Sequence, residues 1–103
     1  MTNKILQINL HFNVSAAELV EEFVTAASHI AAVPGLKWKI FCMNDERSEG
    51  AGIYLFEDDD ALKSYLEGPI IAGMKDKKAF SDINVKTFDV AEEATAVTRG
   101  PIQ

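Results

Sequence analysis

Residues 4–12 read KILQINLHF, and their alternation decides the fold. Leu6, Ile8, Leu10 and Phe12 share one parity; Ile5, Gln7, Asn9 and His11 share the other. Side chains point to opposite faces along a strand, so this stretch predicts a strand with one apolar face and one mixed face. A sheet built on it has a face to be covered and a face left open.

Working outward, Ser15 followed by Glu18 makes a capping box for a helix over 16–33. Leu19, Val20, Phe23, Val24, Ala27, Ile30 and Ala31 recur at the spacing of one apolar stripe. Pro34-Gly35 ends the helix and turns the chain. Residues 36–43 and 52–56 read as strands joined by the polar hairpin loop NDERSEG at 44–50. A second helix spans 60–66, opened by the acids of Glu57–Asp60, and a short one spans 70–79 after the Gly68-Pro69 break. A strand over 83–90 closes the series.

The order βαββαβ is that of an α+β, ferredoxin-like sandwich, in which the helices cover only one sheet face. We place the domain at 1–91 and a C-terminal tail, or an arm laid on a partner, at 92–103. In the second strand Trp38 shares its parity with Leu36 and Ile40, which puts it in the core and Lys39 on the open face; a bulge would exchange the two. In the third strand we expect Ile53 and Leu55 in the core. Tyr54 and Phe56 then lie on the open face, with Gly52 beside them.

The 103 residues suit one domain, and a hydrophobic content of 48% argues against disorder. The net charge of −6 makes nucleic acid and anionic membrane surfaces poor partners, since both need a basic footprint. The single cysteine, Cys42, cannot form an internal disulfide. No apolar run approaches a membrane span, and MTNKILQ lacks a signal-peptide core, so a cytoplasmic protein is expected. Neither histidine has a second ligand at metal spacing, no Gly-rich phosphate loop leads into a helix, and no G-x-S-x-G occurs.

Residues 34–40 (PGLKWKI), 50–56 (GAGIYLF), the acidic helix with Ala61 ahead of Tyr65-Leu66, and 86–90 (KTFDV) resemble the YdhR-type monooxygenase family over nearly the whole chain to about Val90. The chain departs from the family pattern at Ala51 and over 69–79. The resemblance implies a homodimeric α+β barrel, two units packing their open sheet faces together. It also implies relatives that oxygenate small aromatic or quinol-like compounds with no cofactor.

On this reading Asn9, His11 and Tyr54 are the candidate catalytic residues. Asn9 and His11 can hydrogen-bond a phenolic or carbonyl oxygen, and His11 can take a proton. Equally, the two can pair with each other or with Gln7. Tyr54 offers a ring wall and a hydroxyl, or simply interface packing. Trp38, Lys39 and Phe56 are the candidate substrate-binding residues, with Lys39 able to steady an anionic oxygen. His29 reads as a surface or capping group and Cys42 as a small core hydrophobe. The function expected is a cofactor-independent monooxygenase working in a dimeric barrel cavity; the alternative is a dimeric binding module for a small hydrophobic ligand.

Overall fold

The computed structural model describes residues 2–103. Its elements run β1 Lys4–Phe12, α1 Ala16–Ala31, β2 Leu36–Asn44, β3 Glu49–Phe56, α2 Asp59–Leu66, α3 Pro69–Asp76, β4 Phe80–Asp89 and α4 Glu92–Val97. The four strands form one antiparallel sheet in the order β2-β3-β1-β4, the α+β ferredoxin-like arrangement. No helix among the described residues is long and apolar enough to cross a membrane.

Local signals set the element ends. Ser15 Oγ accepts from the Glu18 backbone N–H at 3.2 Å, and Asp58 accepts from that of Ala61 at 2.8 Å, each satisfying a helix-start donor. Gly35 turns the chain at φ +82°, and a Cβ there would stand 2.4 Å from Ala61 Cβ, so only glycine fits. Leu6, Ile8, Leu10 and Phe12 are buried under the helices, with Leu19, Ile30, Leu62 and Ile71 above them. Val20 and Val24, read above as part of the α1 stripe, are instead exposed.

The faces of two strands differ from the sequence reading. In β3, Tyr54 lies opposite Leu6 and Phe56 opposite Lys4, which puts both on the helix-covered face; they are 2% and 0% exposed. Ile53 and Leu55 take the open face, opposite Gln7 and Ile5. Both parities of β3 are apolar, so alternation alone carries no contrast, and pairing with β1 decides. In β2 the register slips between Leu36 and Trp38. Leu36 opposes Phe56, but Trp38 opposes Leu55, so Lys37 is the extra residue of a bulge. Trp38 and Ile40 therefore face the open side, and Lys39 and Phe41 face the helices.

The tail is tied back to the sheet. Trp38 Nε1 donates to the Pro101 carbonyl at 2.7 Å, and Asn3 Nδ2 to that of Ile102 at 2.6 Å.

Candidate active site

The β2 bulge creates the site. It carries Lys39 to the helix face opposite Tyr54, next to Phe41 opposite Gly52. Gly52 leaves the room the lysine stem needs: a Cβ there would stand 2.7 Å from Lys39 Cε and 3.0 Å from Tyr54 Cε1. Nζ rests 3.9 Å from the Phe41 ring centroid and 4.5 Å from that of Tyr54. The negative ring faces attract the ammonium. Among the described residues no carboxylate forms an ion pair with it. Burial lowers its pKa from 10.5 to about 8, because desolvation penalises the charged form.

Tyr54 from β3 meets Tyr65 from α2, their hydroxyl oxygens 3.1 Å apart. The two rings stand 5.2 Å apart, and Phe56 packs against both at 6.0 and 5.5 Å. Burial is the main cause that raises both phenol pKa values. For Tyr54 the neighbouring Tyr65 raises it further, while for Tyr65 the shared hydrogen bond pulls the other way. Both therefore stay protonated at neutral pH.

These groups wall a cavity of about 300 Å³ between sheet and helices. Phe23, Ala26 and Ile30 of α1, Ile70 and Met74 of α3, and Ile8 and Leu10 of β1 also line it, together with the polar Glu22, Thr25, His29 and Lys77. The volume is at the small end of the range for ligand sites, and the mixture of apolar walls with few polar groups is typical of them. A larger hollow, of about 600 Å³, lies at the surface where α1 ends and α2 begins. Glu57, Asp58 and Asp60 line it. Three carboxylates at an open surface cannot keep a reacting ring dry.

The residues singled out from sequence divide between two sides of the sheet. Tyr54 and Lys39 come together in the cavity. Phe56 is sealed into the core beside them and contributes packing to Tyr54 and Tyr65. Trp38 is on the far side, held to the tail. Asn9 and His11 are also on the open face, away from Tyr54. Asn9 Nδ2 donates to Glu49 at 3.1 Å, and Asn9 Oδ1 accepts from Gln7 at 3.0 Å. With Arg47, Asn84 and Lys86 they border an open polar hollow. The expected grouping of Asn9, His11 and Tyr54 thus does not form. Sequence reading missed the hydroxyl of Tyr65, noted only as part of the acidic-helix motif, and the space left by Gly52. A signal for both was present: Gly50, Gly52, Tyr54 and Phe56 share one parity, small residues giving way to large along a covered face. Among the described residues no three His, Cys, Asp or Glu side chains gather as metal ligands.

Several solved structures share the fold. One is the cofactor-independent oxygenase SnoaB from Streptomyces nogalater: 18% identity, 89% of this chain and 96% of that one covered, TM-score 0.73. Another is described as a putative antibiotic biosynthesis monooxygenase from Deinococcus radiodurans: 16% identity, 86% and 93% covered, TM-score 0.73. The heme-degrader MhuD from Mycobacterium tuberculosis, solved with two hemes in its active site, matches at 18% identity, 84% and 95% covered, TM-score 0.65. At these identities the likeness establishes the fold. No protein with a curated description matches the sequence. The family described as "Putative mono-oxygenase ydhR" has a model that matches residues 5–101, and the chain belongs to it.

Proposed function

We propose that the chain is a cofactor-independent monooxygenase acting on a small aromatic or quinol-like compound held between sheet and helices. One observation supports this above others: Lys39 is an amine with no carboxylate partner among the described residues, set over the rings of Phe41 and Tyr54 in a cavity that the hydroxyl-paired Tyr54 and Tyr65 also line. Oxygenation without a cofactor requires a substrate that itself gives electrons to dioxygen. It becomes electron-rich enough once a base takes its proton. The lowered pKa of Lys39, about 8, leaves some free amine at neutral pH. The ammonium then formed stands against the new anion, in a site whose apolar walls limit the water around it.

For a diaryl CH2 such as that of an anthrone, Lys39 takes one proton and leaves an enolate. The enolate passes one electron to dioxygen, and the two radicals couple at the ring carbon as a peroxide. The peroxide regains the proton and loses water, leaving a carbonyl. The net change is CH2 plus O2 to C=O plus H2O. Four electrons leave the carbon and reduce both oxygen atoms, so no other reductant is consumed.

The same reading makes the protein a homodimer, its open sheet faces together in an α+β barrel. Ile40 and Phe88 stand 51% and 48% exposed there, with Ile53 and Trp38 on the same face. Pairing two copies covers that apolar surface. Asn9 and His11 then border the subunit contact, not the reacting ring.

Aerobic incubation with a panel of anthrones and hydroquinones tests the function. Oxygen uptake proportional to protein, and lost in Lys39→Met, is expected. Saturable binding without uptake across the panel would replace the enzyme with a binding module for small hydrophobic ligands.

A further inference from the structure

We infer that the cavity selects a flat aromatic anion, a phenolate, enolate or carboxylate, and recognises its charged oxygen through Lys39 and one tyrosine hydroxyl proton. This rests on the cavity being the ligand site, as proposed above, but not on any turnover there.

The argument is a donor and acceptor count. The ammonium of Lys39 carries three protons and no acceptor capacity. It makes no hydrogen bond or ion pair among the described residues, only the two ring contacts. The hydroxyls of Tyr54 and Tyr65 hold two protons between them, and only one can lie in the 3.1 Å gap. The other has no second partner among the described residues, and both side chains line the cavity. Among the described residues Glu22 is the one carboxylate in the lining, and it is engaged by Lys77 at 2.5 Å. Around Lys39 and the tyrosine pair, free protons and positive charge thus outnumber the acceptors, which are the lone pairs of the two hydroxyls. A ligand bringing a donor there leaves the ammonium uncompensated; one bringing an anionic oxygen pairs with the charge and accepts the spare protons.

The remaining walls fix the shape. Phe41 and Tyr54 on the sheet and Phe23 on α1 provide ring faces, and about 300 Å³ holds roughly two or three fused rings with one small substituent. Because the chain as a whole carries −6, selection acts at contact and not by long-range attraction.

The probe pair is 2-naphthoate and 2-naphthalenemethanol, equal in shape and different in charge, with binding measured by calorimetry. At pH 6.5 naphthoate is expected to bind about tenfold or more tighter, the size of one charge-assisted hydrogen bond. Lys39→Met should erase the preference while keeping the alcohol's affinity; Lys39→Gln guards against a packing artefact. Tyr65→Phe should weaken naphthoate several-fold and spare the alcohol. Naphthoate affinity should fall as pH rises through about 8, where Lys39 loses its proton. The other ionisable groups lining the cavity are Glu22, His29, Lys77 and the two tyrosines, so Glu22→Gln and His29→Ala must leave that midpoint in place. Equal affinity for acid and alcohol, or a preference that survives in both Lys39 variants, overturns the inference. Either result leaves the oxygenase question to the oxygen electrode, and an inactive protein that still prefers naphthoate keeps the inference.

Discussion

Replacing Lys39 by Met should make the protein more stable at neutral pH and less able to act. The side chain keeps its length and loses its charge. In the folded chain the ammonium has exchanged most of its water for ring faces, and its pKa falls from 10.5 to about 8. At 1.36 kcal/mol per tenfold change in proton affinity, that fall corresponds to about 3 kcal/mol held against folding. Some water reaches the group through the cavity mouth, so a gain of about 1–3 kcal/mol is expected for Lys39→Met, or about 5–15 °C in melting temperature for a domain this size. The sign follows from proton counting. Between pH 8 and 10.5 the unfolded chain binds the lysine proton and the folded chain does not, so wild-type stability rises with pH across that window. Below pH 8 both states are protonated and the full penalty applies. Lys39→Met has no such group, so its advantage should be largest near pH 7 and vanish by about pH 10.5. Urea unfolding of both proteins at a series of pH values measures it, and taking the difference cancels the other lysines and tyrosines. An advantage absent at pH 7, or one that does not change with pH, would mean that Lys39 is hydrated, and the base and anion roles assigned to it would fall together.

Tyr54→Phe and Tyr65→Phe should each cost about 1 kcal/mol, and the double variant less than their sum, because removing both hydroxyls strands neither; additive costs in urea titrations would show that the two do not form one pair. Light scattering should give about twice the 11.3 kDa of one chain, and Ile40→Glu, at a residue 51% exposed, should yield folded monomers, whereas Tyr54→Glu, at 2% exposed, should not fold; a dimer untouched by Ile40→Glu would move the contact off the open face. Asn9→Ala and His11→Ala should leave the affinity of the cavity for 2-naphthoate unchanged within about twofold, and a larger loss by calorimetry would return the open face to the site.

The fold was legible because its signals are local. The alternation of β1, the Ser15 cap, the Gly35 turn and the acids ahead of α2 each act within a few residues of themselves, and each lies where the sequence placed it. The site was legible only in its residue types. Lys39 and Tyr54 were chosen, but their face depended on register, which is a property of two strands. In β1 one parity is polar, so water sorts the faces. In β3 both parities are apolar, and Tyr54 is turned inward only by lying opposite Leu6. In β2 both parities hold an aromatic residue, and strict alternation would set Lys37 and Lys39 together on the face opposite Trp38; the bulge overrides this by inserting Lys37 in an edge strand. That one extra residue has a chemical consequence larger than its structural one. Without it, Lys39 would lie on the open face, away from the helices, and Trp38 would lie opposite Tyr54. With it, the indole N–H is free to hold the tail at Pro101 and the cation is driven under the helices, where burial lowers its pKa toward neutrality. The proposed chemistry depends on a backbone irregularity, so a reading based on side-chain pattern alone brings Lys39 and Tyr54 together but assembles them on the opposite side of the sheet.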